Sequence, residues 1–190
     1  MANPKILVFS GSIRGSSLNA RLAGAATREL SMLDCEVTRI SLADYPLPIY
    51  DGDLEAEDGV PQKAIELAKL LHAHDGFFIA SPEYNGSLSP LLKNTLDWVS
   101  RINTVNGKSV SPYRGKVGAI AAASPGGMGG IGMLFHLRDI LVRLGVLVIS
   151  EQIAVGNANS GFDEMDKLTN ERAAGLLATA CRELARRAGD

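Results

Sequence analysis

The sequence contains little cysteine, no excess of charge and no long apolar run, and each of these absences excludes a class of protein. Two cysteines in 190 residues, Cys35 and Cys181, cannot build a disulfide framework and lack the paired spacing of a zinc site. A formal net charge of −2, from 19 basic and 21 acidic residues, provides no basic surface for nucleic acid or an anionic membrane. No apolar segment approaches the roughly 18 residues that cross a membrane. We therefore expect a cytoplasmic protein with neither a nucleic acid nor a membrane as partner.

What the sequence does contain is the balance of a folded protein. Hydrophobic residues make up 46% of the chain and charged residues 21%, which is ordinary for a globular domain. A chain of this length buries enough surface for one hydrophobic core. We expect a single domain over residues 1–190.

Short apolar segments alternate with helical patterns along the chain. The apolar segments 5–10, 35–41, 76–80, 116–123 and 146–150 predict five strands, and helical patterns separate them and follow the last. Residues 45–59 and 103–114 are predicted as loops. Five strands alternating with five helices predict an α/β fold, a doubly wound three-layer sandwich with a five-stranded parallel sheet in the flavodoxin-like order 2-1-3-4-5. The loops after strands one, three and four should then converge at a ligand site.

The first of these loops, residues 11–19, is small and rich in hydroxyl groups. It lies between a strand and the start of a helix, where backbone N–H groups and the helix dipole favour an anion. Ser12, Ser16 and Ser17 add hydroxyl donors, and Arg14 adds a planar guanidinium that suits phosphate oxygens. The loop therefore predicts a phosphate site. An ordinary tight turn, in which Ser17 only caps the helix, is the alternative interpretation.

The second loop, Ser-Pro-Glu-Tyr-Asn-Gly-Ser at residues 81–87, leaves backbone groups free beside Pro82 and Tyr84. These groups could bind the edge of a flat heteroaromatic ring, although an ordinary strand-to-helix turn would have the same composition. The third loop, residues 124–132, contains a G-x-G-x-x-G pattern. Too few elements follow it to complete a dinucleotide-binding half. We expect its missing side chains to let a ligand approach closely.

Two of these motifs together carry a resemblance to a known family. Gly-Ser-x-Arg-x-x-Ser-x-Asn after the first strand and Ser-Pro-Glu-Tyr-Asn-Gly-Ser after the third resemble the NADPH-dependent FMN reductases. This flavodoxin-like family includes bacterial quinone and chromate reductases and azoreductase-like enzymes. The likeness covers nearly the whole chain and extends to segments 47–51, 92–98 and 136–138. The segment 103–112 looks longer than is usual in the family.

The resemblance implies a bound FMN and an NAD(P)H oxidoreductase activity. NADPH or NADH would pass a hydride to the flavin, and a small-molecule acceptor (a quinone, free flavin, an azo compound or a metal oxyanion) would then take the electrons in a ping-pong reaction. The flavin carries the chemistry, so no catalytic acid or base is expected. The resemblance also implies a homodimer or homotetramer. The implied FMN-binding residues are Ser12, Arg14, Ser17, Leu18 and Asn19 for the phosphate, Pro82, Glu83, Tyr84 and Asn85 along the ring, and Ser124 on the far side.

Two other functions fit the same cofactor: a flavodoxin-like electron carrier, and an FMN-binding sensor without a substrate of its own. Metal binding is not expected, because the acidic segment that begins at Asp51 has Ala56 where a calcium loop needs glycine. His136 is predicted to be a packed or interface residue, and both cysteines are predicted to be small buried hydrophobes.

Overall fold

A computed structural model describes residues 3–190 of the chain. Helices and strands alternate along it as the sequence predicts. In chain order, the elements are β1 (Lys5–Ser10), α1 (Leu18–Ser31), β2 (Glu36–Arg39), α2 (Gly52–Asp58), α3 (Gln62–His72), β3 (Gly76–Ala80), β4 (Glu83–Tyr84), β5 (Ser87–Leu88), α4 (Pro90–Ser100), β6 (Thr104–Val105), β7 (Lys108–Ser109), β8 (Val117–Ala123), α5 (Ile131–Arg143), β9 (Leu147–Val155) and α6 (Glu171–Gly189).

The main sheet has five parallel strands in the order β2-β1-β3-β8-β9. These are the five predicted strands in the predicted order 2-1-3-4-5, so the flavodoxin-like fold class is confirmed. In the register, Ser10 lies beside Ala80, and Ala80 lies beside Ala121. The carboxyl ends of β1, β3 and β8 are therefore level, and the loops that follow them leave the same edge of the sheet.

Each central strand sends alternate side chains to opposite faces, and each face has its own core. In β1, Leu7 and Phe9 pack on the face covered by α3, α4 and α5, whereas Ile6 and Val8 pack on the face covered by α1 and α6. All four are nearly or completely excluded from solvent. A strand buried on both faces explains why the sequence shows continuous apolar runs rather than alternation.

Two of the predicted loops contain regular structure. Residues 52–58 form α2, which Asp51 caps by accepting a hydrogen bond from the N–H of Asp53 at 2.8 Å. The helix buries no residue completely, so it has no apolar stripe by which the sequence could reveal it. Residues 103–114 contain the hairpin β6–β7 around Asn106 and Gly107, and then bury Tyr113 in the core.

The last strand runs to Val155, five residues beyond the prediction. It is an edge strand, and the polar residues at 150–152 are tolerated there because one side of the strand has no neighbour. The pairing with β8 shifts register between Gly118 and Ile120.

Burial separates the two cysteines. Cys181 on α6 is buried in the hydrophobic core between α1, α6 and the sheet, and burial raises the pKa of its thiol to about 12. Cys35 is only half-buried, so the prediction that both are buried is wrong for Cys35. Over residues 3–190, no helix is both long and apolar enough to cross a membrane, and no group of three metal-ligating side chains occurs.

Candidate functional site

The predicted site residues converge on one cavity at the carboxyl edge of the sheet. The loop after β1, the loop after β3 and the loop after β8 form its three sides, and Asn85 is the predicted residue that does not line it. The lining residues are Ser12, Arg14, Ser17, Leu18, Asn19, Pro82, Glu83, Tyr84, Ala123, Ser124 and Pro125.

The end of the cavity formed by α1 presents donors and no acidic group. Ser17 caps the helix by accepting a hydrogen bond from the N–H of Ala20 at 3.2 Å, and its predicted part in a phosphate site stays a prediction. The N–H groups of Leu18 and Asn19 belong to the first helical turn and find no acceptor within residues 3–190. The first turn carries no acidic residue. This end of α1 therefore has the electrostatics of an anion site.

Arg14 lies at the mouth of this end and is exposed. Its Nη2 donates to the carbonyl oxygen of Ser16 at 3.1 Å, and its backbone N–H donates to Oγ of Ser12 at 3.4 Å. The guanidinium has five N–H donors, so most of its donors stay available after the bond to Ser16. Arg14 can therefore add a charged hydrogen bond to an anion held by the helix.

Close packing fixes the position of the first loop. A Cβ on Gly11 would lie 2.5 Å from Oγ of Ser81, so only glycine allows the two loops to approach this closely. The N–H of Gly11 donates to the carbonyl oxygen of Ala80 at 2.8 Å, and Oγ of Ser89 donates to the carbonyl oxygen of Gly11 at 2.6 Å. Ser89 also caps α4 through the N–H of Leu92. Of these two contacts, only the cap has a local sequence pattern, because Ser89 is followed by Pro90 at the first helical position.

Asn19 lines the cavity as predicted, and its side chain connects two elements of the fold. Its side chain is buried, with Nδ2 donating to the carbonyl oxygen of Ala123 at 2.9 Å and Oδ1 accepting from the N–H of Ala123 at 2.8 Å. The amide therefore joins α1 to the end of β8, and this pairing uses one of its two N–H donors and its oxygen. The backbone N–H of Asn19 in the first turn of α1 remains the group that the anion site can use.

The second loop is a hairpin. Strand β4 pairs with β5 in antiparallel register, and Asn85 and Gly86 form the turn, both with positive φ angles of 52° and 78°. Two such residues are typical of the type I′ turn that joins two-residue hairpins. Asn85 therefore lies at the exposed tip, away from the cavity, because the turn uses it for backbone geometry. Tyr84 lines the cavity and is 53% exposed.

Glu83 connects this hairpin to helix α5. Its Oε2 accepts a hydrogen bond from the N–H of Met133 at 2.9 Å, in the first turn of a helix that begins after Gly130 without a side-chain cap of its own. Gly132 leaves room for the carboxylate, since a Cβ there would lie 3.0 Å from Oε2. Glu83 lines the cavity as predicted, but its carboxylate acts as the cap of α5.

His136 makes a second connection between the same elements. Its Nδ1 lies 2.9 Å from Oγ of Ser87 in β5. The side chain is exposed in the single chain, which excludes packing inside it, and the predicted interface role stays a prediction.

The glycine-rich loop after β8 needs its glycines for internal packing. Gly129 and Gly130 have φ angles of +66° and +86°, and a Cβ on Gly129 would lie 2.8 Å from the backbone of Ala154. A Cβ on Gly156 would lie 2.3 Å from the carbonyl oxygen of Gly127. These positions therefore serve the contact between the loop and the end of β9. In residues 3–190 one strand, β9, and the two helices α5 and α6 follow the loop, so the dinucleotide-binding interpretation is excluded by topology.

The cavity offers binding groups rather than catalytic ones. Glu83 is its one acidic side chain within residues 3–190, and no histidine lines it beside Ser12, Ser17 or Ser124. Oγ of Ser124 accepts a hydrogen bond from the N–H of Gly126 at 3.2 Å. A nucleophile activated by a base is therefore missing from the described lining. The arrangement can hold an anion at α1 and a flat group between the hairpin and the loop after β8.

Comparison with known proteins agrees on one family. The profile of the NADPH-dependent FMN reductase family matches residues 4–160. An NAD(P)H-dependent FMN reductase of Pseudomonas aeruginosa is 34% identical over 175 residues, 91% of this chain and 89% of that protein. A quinone reductase of Escherichia coli is 35% identical over 153 residues, 80% of this chain and 77% of the other.

Solved structures show the same fold at lower identity. The flavoenzyme NAD(P)H:(acceptor) oxidoreductase FerB of Paracoccus denitrificans superimposes with a TM-score of 0.79 at 23% identity, over 98% of this chain and 97% of that one. An archaeal flavodoxin superimposes with a TM-score of 0.61 at 12% identity, over 98% of this chain and 99% of the other.

Proposed function

The chain belongs to the NADPH-dependent FMN reductase family, and we propose that it holds FMN in the cavity between the loops after β1, β3 and β8 and there transfers electrons from NAD(P)H to a small-molecule acceptor. It is an NAD(P)H-dependent flavin oxidoreductase, as its relatives are. The residues that hold the cofactor, the acceptor and the order of the half-reactions are the parts that we propose.

The observation that carries the proposal is that hydrogen-bond donors lie at one end of the cavity and apolar surfaces at the other. Free N–H groups of Leu18 and Asn19, the hydroxyl groups of Ser12 and Ser17 and the guanidinium of Arg14 all lie at the end formed by α1. Donors without a neighbouring carboxylate suit the phosphate of FMN. The other end has the apolar surfaces of Pro82 and Tyr84, and suits an aromatic ring.

When bound, FMN supplies the redox chemistry of the reaction. The residues of the chain then have three tasks. Arg14 and the first turn of α1 bind the phosphate, Pro82 and Tyr84 border the ring, and Ser124 with Pro125 closes the side formed by the loop after β8. Glu83 and Asn19 act indirectly, because one holds the hairpin against α5 and the other holds α1 against β8.

We propose a quinone as the acceptor, binding after the oxidised nicotinamide has left, in a ping-pong reaction. Relatives named quinone reductase and 2-hydroxy-1,4-benzoquinone reductase support this choice. A second recess adjoins the cavity through Ser12, Arg14 and Tyr84 and has apolar walls at Ile13, Pro90 and Leu91. A recess of this kind suits a planar apolar acceptor. Free flavin, azo compounds and metal oxyanions are further acceptors to compare.

We also propose that the protein is a homodimer or homotetramer. Helix α5 and the start of β9 expose Phe135, Val142 and Leu147, each more than half accessible. Exposed apolar side chains on neighbouring elements are typical of an interface. Light scattering of the purified protein checks this proposal, and a monomer at micromolar concentration would refute it.

The central test follows the visible spectrum of the FMN-loaded protein. Anaerobic addition of NADPH or NADH should bleach the flavin band, and addition of a quinone should restore it. Steady-state rates measured against NADPH concentration, at several fixed quinone concentrations, should give parallel double-reciprocal lines, as a ping-pong reaction requires. A bound flavin that neither nicotinamide reduces would refute the reductase and leave the carrier or the sensor. Intersecting lines would refute the ping-pong order alone.

A further inference from the structure

A second cavity lies behind the first loop, at the carboxyl ends of β1 and β2. Its polar lining consists of one arginine and three serines. It has a volume of about 330 Å³ and is lined by Arg39, Ser10, Ser12, Ser41 and three apolar residues. No carboxylate lines it within residues 3–190. We call it the Arg39 cavity. The volume is at the lower end of the range of small-molecule sites, roughly 300–1,000 Å³.

The three serine hydroxyls of the Arg39 cavity all have their donors free. Oγ of Ser10 accepts the N–H of Ser12 at 3.2 Å, Oγ of Ser12 accepts the N–H of Arg14 at 3.4 Å, and Oγ of Ser41 accepts the N–H of Ala43 at 3.2 Å. Within residues 3–190 none of the three O–H groups has an acceptor. Ser10 is only 7% exposed, so a free donor there is unusual.

The guanidinium of Arg39 is held in place against α1. Its Nη2 donates to the carbonyl oxygen of Ala20 at 2.8 Å, and its Nη1 lies where a Cβ on Gly24 would be only 3.0 Å away. Glycine at position 24, one helical turn after Ala20, therefore provides the space for the planar group. A single hydrogen bond leaves the guanidinium with further donors.

From these contacts we propose that the Arg39 cavity is a second oxyanion subsite, which binds a phosphate group separate from the phosphate of FMN. The free hydroxyl donors of Ser10 and Ser41, which the FMN site does not use, one fixed guanidinium and the absence of a lining carboxylate within residues 3–190 favour a tetrahedral dianion over a cation or a neutral ligand. Two sources share this chemistry: the 2′-phosphate of NADPH, which NADH lacks, and free inorganic phosphate. The first source rests on the proposed function, and the second is independent of it.

The first measurement is the binding of inorganic phosphate to the FMN-loaded protein, by isothermal titration in a buffer without phosphate. FMN fills the site at α1, so a titration then reports on the Arg39 cavity. Arg39→Gln should weaken phosphate binding about tenfold or more, as expected for a lost charged hydrogen bond. Arg182→Gln is the matched control, because Arg182 is exposed on α6 and, among the described residues, its guanidinium bonds only to Thr179 one turn away.

Gly24→Ala is the second variant, and it separates binding from folding. The new methyl group would meet only the flexible end of Arg39, and alanine favours a helix more than glycine does. We expect equal or higher thermal stability together with weaker phosphate binding. If Arg39→Gln and Gly24→Ala both bind phosphate as tightly as the wild type, or if the wild type binds none, the subsite is refuted.

The KM values for NADPH and NADH identify the source of the phosphate. If the ester of NADPH occupies the cavity, Arg39→Gln should raise the KM for NADPH about tenfold or more and leave that for NADH unchanged. If only free phosphate binds, Arg39→Gln should weaken phosphate binding in the titration but leave the ratio of the KM values for NADPH and NADH unchanged. That result supports the subsite with inorganic phosphate as its ligand. A protein whose flavin neither nicotinamide reduces would refute the proposed function but not the phosphate titration.

Discussion

Replacement of Glu83 tests how the hairpin that borders the proposed flavin site is held. Its carboxylate provides the side-chain hydrogen bond in the first turn of α5, through the N–H of Met133 at 2.9 Å, where Gly130 provides none. Loss of a side chain that caps a helix costs about 0.5–2 kcal/mol. The negative charge at the positive end of the helix contributes to that amount. For Glu83→Ala we expect the free energy of unfolding to fall by about 1–2 kcal/mol. For a chain of this length that corresponds to a fall in Tm of roughly 2–8 °C.

Thermal unfolding without FMN, followed by circular dichroism, measures this loss directly. The measurement excludes FMN because a ligand that binds only the folded protein raises the Tm by itself. Glu83→Gln keeps an oxygen acceptor without the charge and should lose less than Glu83→Ala. Glu164→Ala is the control, since Glu164 is exposed and makes no hydrogen bond within residues 3–190.

The second measurement is the Kd for FMN, from quenching of flavin fluorescence. A hairpin that is released from α5 holds Pro82 and Tyr84 less firmly, so the Kd should rise for Glu83→Ala and rise less for Glu83→Gln. An unchanged Tm for Glu83→Ala would refute the capping role. A lower Tm with an unchanged Kd would show that the hairpin keeps its place without the cap, and would refute the link between Glu83 and the cofactor.

Three further variants test the site and the stability of the fold. Arg14→Ala should weaken FMN binding by about 1.5–3 kcal/mol if its guanidinium bonds the phosphate; an unchanged Kd would assign the phosphate to the backbone of α1 alone. Asn19→Ala should lower the free energy of unfolding by about 2–4 kcal/mol, measured in urea, because it leaves both backbone groups of Ala123 buried without partners; a loss below that of a surface variant would contradict this role. Hydrogen bonds from Arg186 and Arg187, which lie one turn further along α6, lower the pKa of Glu183 to about 2, from an unfolded value near 4.3. The ionised Glu183 therefore stabilises the fold above the unfolded pKa, and this contribution disappears as the pH falls toward 2. The free energy of unfolding of Glu183→Gln should accordingly depend less steeply on pH in acid. Identical plots of unfolding free energy against pH for the variant and the wild type would refute the contribution.

The predicted strand order indicates which three loops meet, and the structure brings those loops together. Ser12, Arg14 and Ser17 after β1 meet Pro82 and Tyr84 after β3 because parallel strands end at the same edge. That step needs only the strand order, which follows from the count of alternating elements. The binding of FMN by these residues stays a prediction.

Asn19 and Glu83 show what a motif leaves open about its side chains, although both residues line the cavity as predicted. Each sits in a motif shared with the FMN reductases, and each is used by a partner far away in the sequence: Asn19 by Ala123 and Glu83 by Met133. A motif records that a residue type is present at a position. It does not record whether the side chain faces the ligand or the scaffold.

The sequence by itself determines the features that depend on neighbours along the chain. Continuous apolar runs mark β1, β3 and β8, Ser17 and Ser89 mark where α1 and α4 begin, and the alternation of elements gives the order of the sheet. These are local properties, since backbone conformation and burial pattern follow from a few adjacent residues.

Only the tertiary structure decided the features that depend on long-range packing. Helix α2 has no buried stripe, β9 continues through polar residues because it is an edge, and the glycines after β8 are fixed by the backbone at 154–156. The Arg39 cavity also belongs here, because its guanidinium comes from the end of β2 and its support from the middle of α1. Which donors remain free depends on every partner within reach, and those partners are set by the folded chain.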